Sequence, residues 1–431
     1  MKREENELLT QVGKGTPMGE VMRRYWHPIC TSAELPTPDC DPLRTRLLGE
    51  TFVVFRDSHG RVGVIDELCM HRGASMALGR VEDGGIRCIY HGWKFAVDGR
   101  IMETPNHEDP RLRQRLKAPC YPVHESAGLV WTYIGPAEHQ PPFRRFGFED
   151  VPDANRVVLR INVNANYLQC WEGGTDTSHV TMLHSNVARP NWALGNGKAA
   201  SGVADDMLVE AFNDTAPKLE IEDTSFGFHY AGIRTAPGEE GSRRNVRIVP
   251  IFLPGGRIIP FRDFSTWVFE TPQDDEHTST YMIDASATMP LSRQARLKRS
   301  GLIEERFYKD NNFRASWDDR LGQNRDAMRK QQNWTGFSGI SQEDAIISTS
   351  MGPVYDRTRE HLVAADAAIV RLRRRLLDAV RLVEAGKTPP AAMVADMTRM
   401  QGFDTDWDIT QRWQDIAPEH RMHFALEKEP A

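Results

Sequence analysis

The chain has 431 residues, which suggests two or three domains at about 150 residues each. It carries 54 lysine and arginine residues against 60 aspartate and glutamate residues, so the formal net charge is −6. This mildly acidic balance argues against general electrostatic attraction to nucleic acid or anionic lipid. No apolar run approaches the roughly 18–20 residues of a membrane span, and the opening MKREENELLT lacks the apolar stretch of a secretory signal. We therefore expect a cytoplasmic protein with neither a nucleic-acid nor a membrane partner.

Residues 45–134 are predicted to form a small unit of β-strands. Strand pairs flank the turn sequence DSHG and the Asp98-Gly99 turn of WKFAVDGRIME, both of which favour tight hairpins. The expected strands of the first and of a third pair are 47–55, 61–65, 121–123 and 129–133. The proline-rich EHQPPF at 138–143 is typical of a linker. We therefore predict a first domain over residues 1–150 and a second over residues 151–431.

Longer strands alternate with helices in the second predicted domain. Strands are expected over 156–164, 206–212, 226–234, 244–250, 263–270 and 277–287, and helices over 166–180, 291–308, 314–331 and 357–386. In the last helix, apolar residues from Ile369 to Val383 keep a spacing of three to four residues. One face of that helix is therefore expected to be buried.

Two segments of the first domain combine cysteine with histidine. Cys69-Met70-His71 and Cys88-Ile89-Tyr90-His91 read C-x-H, sixteen residues, then C-x-x-H. Soft thiolates and neutral imidazoles suit a [2Fe–2S] cluster with two cysteine and two histidine ligands. A structural zinc site is the alternative, but zinc fingers usually pair like ligands, whereas these alternate. The remaining cysteines stand alone and are expected to be buried thiols: Cys30, Cys40, Cys120 and Cys170.

These segments resemble the Rieske proteins. The match extends to CMHRGASMALGR, where Arg-Gly follows the first histidine, and to CIYHGWKF, where Gly-Trp follows the second. The resemblance implies that Cys69 and Cys88 hold one iron of the cluster. It likewise implies that His71 and His91 hold the other iron.

A second group of candidate ligands begins the second domain, in YLQCWEGGTDTSHVTMLHS. Asp176 and His179 are three residues apart and would share one face of a helix. His184 is five residues beyond His179, so both imidazoles could reach one metal only if the helix ends or bends between them. Two imidazoles and a carboxylate form the facial triad that binds non-haem Fe(II) for O2 activation.

The pattern acid-x3-Asp-x2-His-x4-His resembles the ring-hydroxylating oxygenases and matches Glu172, Asp176, His179 and His184. The resemblance implies that His179 and His184 bind the mononuclear iron. It implies that Asp176 acts in catalysis as the bridge to a cluster histidine of a neighbouring chain, with His91 as the candidate. Glu172 either orients the iron ligands from outside or is an ordinary helix acid.

The third iron ligand is expected to be a carboxylate far downstream. Asp344 in ISQEDAIIS, after the aromatic stretch NWTGF, is the best local match to the family. Glu343 beside it and Asp356 in GPVYDRTREHL remain rivals.

The segment GTPMGEVMRRYWHP resembles the phthalate dioxygenase-like branch, whose members act on aromatic carboxylates such as phthalates and chlorobenzoates. A carboxylate favours a bidentate arginine. Arg243, Arg244 and Arg247 share the strand RRNVRIVP, where alternation separates Arg244 from the other two. The resemblance favours Arg244 as the substrate-binding arginine, and the alternative is that all three are surface or interface charges. Ser178 is a candidate substrate-binding hydroxyl.

The predicted fold is α+β: an all-β Rieske domain and a helix-grip catalytic domain, in which helices pack on an antiparallel sheet. By resemblance the chain is the terminal oxygenase of a multicomponent system that cis-dihydroxylates an aromatic carboxylate. The resemblance to enzymes that act on ortho-phthalate implies a second pocket arginine around residues 205–210. This sequence reads DDMLVE there, which argues against ortho-phthalate as the substrate.

The resemblance implies one [2Fe–2S] cluster and one mononuclear Fe(II) per chain, with O2 as co-substrate. The sequence has no G-x-G-x-x-G or flavin motif, so NAD(P)H would be used only through a separate flavin and iron–sulfur reductase. A homo-oligomer is expected, either a trimer or a stacked hexamer. Two alternatives stay open: a monooxygenase that O-demethylates vanillate-type or dicamba-type substrates, and a Rieske electron carrier whose second domain only docks partners.

Overall fold

The computed structural model describes residues 1–188, 214–235, 243–305 and 307–420. The first part of the chain consists mainly of short strands. Its elements are α1 (Arg3–Thr10), α2 (Pro17–Met22), β1 (His27–Thr31), β2 (Leu43–Leu47), β3 (Glu50–Arg56), β4 (Val62–Asp66), β5 (Arg80–Glu82), β6 (Gly85–Arg87), β7 (Lys94–Phe95), β8 (Ile101–Glu103), α3 (Pro110–Arg115), β9 (Cys120–Tyr121), β10 (Val123–Ser126) and β11 (Leu129–Thr132).

Three small sheets make up this part, with the strand orders β2-β3-β4-β9, β5-β6-β7-β8 and β1-β11-β10. The hairpin predicted at DSHG joins β3 to β4, and the Asp98-Gly99 turn joins β7 to β8. Gly99 has a φ of 79°, and a Cβ at this position would lie 2.3 Å from the carbonyl oxygen of Ala118. Both hairpin predictions are confirmed, and the second turn requires glycine.

Two expected strands are divided differently in the structure. The strand predicted over 47–55 begins inside a turn, because Gly49 with a φ of 82° reverses the chain between β2 and β3. The segment 121–123 is split, since Tyr121 pairs with β4 whereas Val123 pairs with β11. Two of the four lone cysteines, Cys30 and Cys170, are buried as expected. The other two, Cys40 and Cys120, are partly exposed.

The second part of the chain combines longer strands with helices. Its elements are β12 (Arg145–Phe146), β13 (Arg156–Val163), α4 (Tyr167–Thr175), α5 (His179–Met182), α6 (Ser185–Ala188), β14 (Lys218–Asp223), β15 (Gly227–Thr235), β16 (Arg243–Phe252), β17 (Gly256–Pro260), β18 (Ser265–Pro272), β19 (Thr278–Ala285), α7 (Arg293–Ser300), β20 (Tyr308–Lys309), β21 (Asn312–Phe313), α8 (Arg325–Arg329), α9 (Ile340–Ser350), α10 (Ala367–Glu384), β22 (Asp396–Met397) and β23 (Phe403–Asp408).

One ten-stranded, largely antiparallel sheet organises these elements, in the order β14-β15-β16-β17-β18-β19-β13-β21-β20, with β23 paired to β16. Helix α4 lies against β17 and β18 and also contacts α9 and α10. The predicted α+β fold class is confirmed. Five of the six predicted strands of this part match β13, β15, β16, β18 and β19, and the sixth, 206–212, lies outside the described residues.

All four predicted helices are shorter than expected, and the one predicted over 166–180 ends as α4 at Thr175. The helix predicted over 291–308 is limited to α7, which stops at Gly301, a residue with the left-handed φ of 72° that ends many helices. The helix predicted over 314–331 is replaced by a 3-10 segment with positive φ at Arg320 and by the short α8. The 357–386 helix is α10, and its Leu372 and Leu376 are fully buried as the periodicity predicts.

The N-terminal helices pack against the second part of the chain. Leu9 of α1 and Met18 of α2 belong to the same buried cluster as Trp171 of α4 and Leu372 of α10. These apolar contacts connect the start of the chain to the helix that precedes His179. Within the described residues, no helix is both long and apolar enough to cross a bilayer.

Candidate metal centres

The Cys-His segments form two similar loops, one between β4 and β5 and the other between β6 and β7. In the first loop the amide of Gly73 donates to the carbonyl of Cys69 at 2.8 Å. In the second the amide of Gly92 donates to the carbonyl of Cys88 at 2.9 Å. Both glycines have φ between 73° and 78°, which L-residues with side chains disfavour, and so allow each loop to fold back beside its cysteine.

The sulfur ligands lie inside and the imidazoles lie further out. Cys69 and Cys88 are buried, and burial raises the pKa of the Cys69 thiol to about 11. His71 and His91 are half-exposed, with ring centroids 4.5 Å apart. The His71 ring stacks on Trp93 at 4.7 Å, which orients this imidazole. A buried thiolate pair is costly without a bound cation, so this donor set fits an iron–sulfur cluster with two sulfur and two nitrogen ligands.

The second centre brings together three residues that the sequence pointed to as iron ligands. One ligand atom from each of His179, His184 and Asp344 lies within 4.8 Å of the other two. Nε2 of His184 is 3.2 Å from Oδ1 of Asp344, and Nε2 of His179 is 3.7 Å from the same oxygen. Two imidazoles and one carboxylate are the donor set of a mononuclear non-haem iron site.

Breaks in the helix bring the two histidines to one point. Helix α4 ends at Thr175, and the carboxylate of Asp176 accepts hydrogen bonds from the amide and the hydroxyl of Ser178, both at 2.7 Å. Helix α5 then begins at His179 and ends at Met182, before His184. The predicted break between the histidines is confirmed, and the structure adds a second one before His179.

The acids that were rivals of Asp344 lie elsewhere. Oε2 of Glu343 is 2.7 Å from Nδ1 of His184, on the opposite side of the ring from Asp344, and Glu343 is 2% exposed. Its other oxygen accepts a hydrogen bond from Oγ1 of Thr335 at 2.5 Å. Asp356 caps a 3-10 turn by accepting a hydrogen bond from the amide of Thr358. Sequence reasoning missed Glu343 as an orienting acid, because its neighbour Asp344 matched the ligand pattern.

Charges at this centre favour a bound dication. Burial by itself would lower the pKa of His184, but the carboxylates of Asp344 and Glu343 outweigh that effect and raise the pKa to about 10. Burial would raise the pKa of Asp344, and the neighbouring His184 and His179 lower it instead. The two carboxylates thus favour a positive charge beside them, which in the metal-free protein is the protonated His184 imidazole. A bound ferrous ion would supply that charge and leave the imidazole neutral.

Glu172 lies in a buried network of ion pairs. Its Oε2 accepts from Nη2 of Arg357 at 2.8 Å, and its Oε1 accepts from Nε of Arg373 at 2.5 Å. Nη1 of Arg373 also donates a hydrogen bond to Glu360, and Nη1 of Arg357 donates one to Asn6 of α1. The described contacts of Glu172 therefore join α4 to α10 and to the N-terminal helix.

Two cavities of about 250 Å³ and 80 Å³ adjoin the second centre, and both are bordered by Asp176, His179 and Asp344. Alternation along β16 separates Arg244 from Arg247 as predicted. Nη2 of Arg244 donates to the carbonyl of Gln411 at 2.8 Å, whereas Arg247 borders the smaller cavity and pairs with Asp404. The described part of the chain therefore brings Arg247 to the iron site, three residues further along β16 than the arginine favoured by the resemblance.

Family comparisons agree with this geometry. Residues 25–122 match the model of the Rieske [2Fe-2S] domain, and residues 132–421 match the family described as LigXa C-terminal domain like. The chain belongs to the Rieske ring-hydroxylating oxygenases. This oxygenase is 35% identical to the phthalate 4,5-dioxygenase oxygenase subunit of Pseudomonas putida, over 89% of this chain and 87% of that protein. It is 34% identical to the 3-chlorobenzoate-3,4-dioxygenase oxygenase subunit of Comamonas testosteroni, over 94% and 96% of the two chains.

The fold also matches solved terminal oxygenases. Dicamba monooxygenase bound to dicamba superimposes with a TM-score of 0.58 at 17% identity, covering 84% of this chain and 99% of that one. The oxygenase is therefore an oxidoreductase with a Rieske [2Fe–2S] cluster and a mononuclear iron. The two relatives from Pseudomonas putida and Comamonas testosteroni are both named as oxygenase subunits of dioxygenases.

Proposed function

We propose that this terminal oxygenase cis-dihydroxylates an aromatic monocarboxylate of the chlorobenzoate class, or a phthalate whose carboxylates are not ortho. The observation that carries the proposal is the smaller cavity, which joins the iron-ligand group to two buried arginines, Arg247 and Arg257. A largely apolar cavity with a few placed polar groups is the usual form of a small-molecule site.

The walls of this cavity suit a substituted benzene ring. Its apolar lining consists of Val180, Val249, Ile259, Phe261 and Ile340. These side chains exclude water from a bound ring and bring a ring edge next to His179 and Asp344. The arginines supply the charge that a ring carboxylate needs once it leaves water.

The protein groups around the iron have separate roles in this proposal. His179, His184 and Asp344 would hold the ion. When bound, the cluster supplies electrons and the mononuclear iron activates O2. Oε2 of Glu343 accepts a hydrogen bond from Nδ1–H of His184, which would leave the Nε2 lone pair free for the ion.

Electrons are proposed to pass between neighbouring copies in a homo-oligomer, a trimer or stacked hexamer. Three apolar residues at the cluster loops are strongly exposed: Leu68 by 60%, Ile89 by 60% and Tyr90 by 53%. Exposed apolar side chains clustered in this way favour contact with another surface. Asp176 is the proposed link from the iron site to a cluster histidine of the neighbouring copy. Its carboxylate borders both cavities and accepts a hydrogen bond from the hydroxyl of Ser178.

A panel of substituted benzoates, assayed with a compatible reductase under ¹⁸O2, tests the proposed reaction. A cis-dihydrodiol that retains both labelled oxygen atoms is the expected product by mass spectrometry. Methoxybenzoates that yield an unlabelled hydroxybenzoate, with one labelled atom leaving in formaldehyde and the other in water, would establish the monooxygenase alternative instead. An electron carrier would consume no O2 in response to substrate.

A further inference from the structure

Arg257 on β17 is an arginine that borders both cavities, together with His179 and Asp344. It is 7% exposed. Its Nη1 donates to Oε1 of Glu270 at 2.8 Å, and Glu270 is itself 3% exposed. The guanidinium of this buried ion pair therefore lies beside the iron-ligand residues.

The hydrogen-bonding capacity of this guanidinium is only partly used. Within the described residues, its Nε is buried and has no hydrogen-bond partner. The acid of the pair is better satisfied, because its second oxygen accepts from Oγ1 of Thr280 at 2.5 Å. Arg357, another fully buried arginine of the same chain, donates from Nε, Nη1 and Nη2 to protein acceptors. Arg257 is thus a buried arginine that is paired through Nη1 and whose Nε–H lacks an acceptor.

A glycine at the end of α4 makes room for this side chain. A Cβ at Gly174 would lie 2.0 Å from Cζ and 2.1 Å from Nε of Arg257. The guanidinium consequently lies directly against the helix end, two residues before Asp176. At the adjacent Gly173 a Cβ would have no atom within 4 Å.

We propose that Arg257 is the residue that recognises the substrate carboxylate, with Gly174 creating the space for its guanidinium. The inference rests on the proposed function, and it narrows the substrates to those in which a single ring carboxylate pairs with Arg257. Arg247 borders the smaller cavity and is paired with Asp404, whereas Arg257 borders both cavities and keeps an unused Nε. A ring carboxylate that pairs with the part of the guanidinium facing the cavities would orient the ring relative to His179 and Asp344.

The two neighbouring glycines allow a matched test on the intact oxygenase. Dissociation constants for 3-chlorobenzoate and for the neutral 3-chlorobenzamide are measured by calorimetry on wild type, Gly174→Ala and Gly173→Ala. We expect wild type to prefer the acid by at least about tenfold, as a charge-assisted pair in a dry site should. Gly174→Ala should displace the flexible end of Arg257 and reduce this preference to about twofold or less, while Gly173→Ala should keep it.

A second variant tests the arginine directly without leaving its acid unpaired. Arg257→Gln combined with Glu270→Gln removes both buried charges and should also abolish the preference, whereas Arg244→Gln should retain it. If Gly174→Ala and the double variant both keep the wild-type preference, the role of Arg257 is wrong while the proposed reaction stands. If the wild-type oxygenase binds the acid and the amide equally well, both the proposed monocarboxylate substrate class and the proposed role of Arg257 are wrong.

Discussion

At the scale of single residues, the orientation of His184 depends on an acid that does not bind the metal in our proposal. Glu343 and Asp344 are adjacent on α9, about 100° apart around the helix, and they contact opposite nitrogens of the His184 ring. Such carboxylate–histidine–metal arrangements fix both the tautomer and the ring angle. The buried contact to Thr335 holds Glu343 in turn.

Removing this acid should weaken iron binding. Glu343→Ala is expected to lower the affinity for Fe(II) by about 10–100-fold, the usual effect of losing such a partner. Glu343→Gln should recover much of the affinity, since the amide oxygen can still accept the Nδ1 proton. Chelator competition on the purified oxygenase measures both values. Asp356→Asn serves as the control, because that acid caps a turn, and an equal loss there would contradict the assignment.

The cluster histidines allow a separate prediction. His71→Cys or His91→Cys should lower the reduction potential of the cluster, because an anionic thiolate replaces a neutral imidazole and disfavours the added electron. Redox titration followed by electron paramagnetic resonance measures the shift. An intact variant cluster with an unchanged potential would show that these imidazoles are not ligands.

At the scale of elements, α4 is anchored at a point away from the metal ligands. Glu172 connects it to Arg357 and Arg373, and all three side chains are at least nine-tenths buried. Removing one partner from a buried network leaves uncompensated charge, which is far more costly than losing an exposed pair.

We therefore expect Glu172→Ala to destabilise the oxygenase by about 3–5 kcal/mol. Asp326→Asn, which breaks an exposed pair with Arg329, should cost no more than about 1 kcal/mol. Thermal unfolding of the two variants under identical conditions compares them. Similar midpoints for both variants would mean that the Glu172 network contributes little to stability.

Local sequence signals predicted the hairpins and five strands of the large sheet, but not the helix that carries Asp344. The turn at Asp98-Gly99 and the alternation in β16 are local properties, and both are confirmed. Helix α9 buries four polar residues beside Ala345 and Ile346, so its inward face does not show a clear apolar repeat: Ser341, Gln342, Glu343 and Ser348. A face built to serve a metal centre departs from the pattern of an apolar core.

The choice among arginines required the three-dimensional fold. Alternation separated Arg244 from Arg247 but could not tell which face of β16 meets the iron site. Arg257 lies on another strand, and its relation to Gly174 depends on how β17 packs against α4. The family resemblance located His179 and His184 because both belong to one short segment of the sequence. The residues that line the cavities belong to several segments that are far apart in the sequence.

At the scale of the whole molecule, Asp176 is the proposed link between centres. Burial would raise its pKa, but hydrogen bonds to His179 and Ser178 hold the pKa below its ordinary value, so it stays a carboxylate. Asp176→Asn should retain both metals, as checked by iron and sulfide analysis, while losing most turnover. Full turnover in the loaded variant would contradict a role in coupling.

Complementation decides whether electrons cross between neighbouring copies. One chain carries Cys69→Ala, which disables the cluster, and the other carries His179→Ala, which disables the iron site. Each variant alone should be inactive, because every chain lacks the same centre. In mixed oligomers, transfer between neighbours restores activity wherever an intact cluster faces an intact iron site. Transfer within one chain restores none, since no chain has both centres. Differently tagged chains, purified through both tags and analysed for both metals, provide the sample, and its inactivity would contradict transfer between copies.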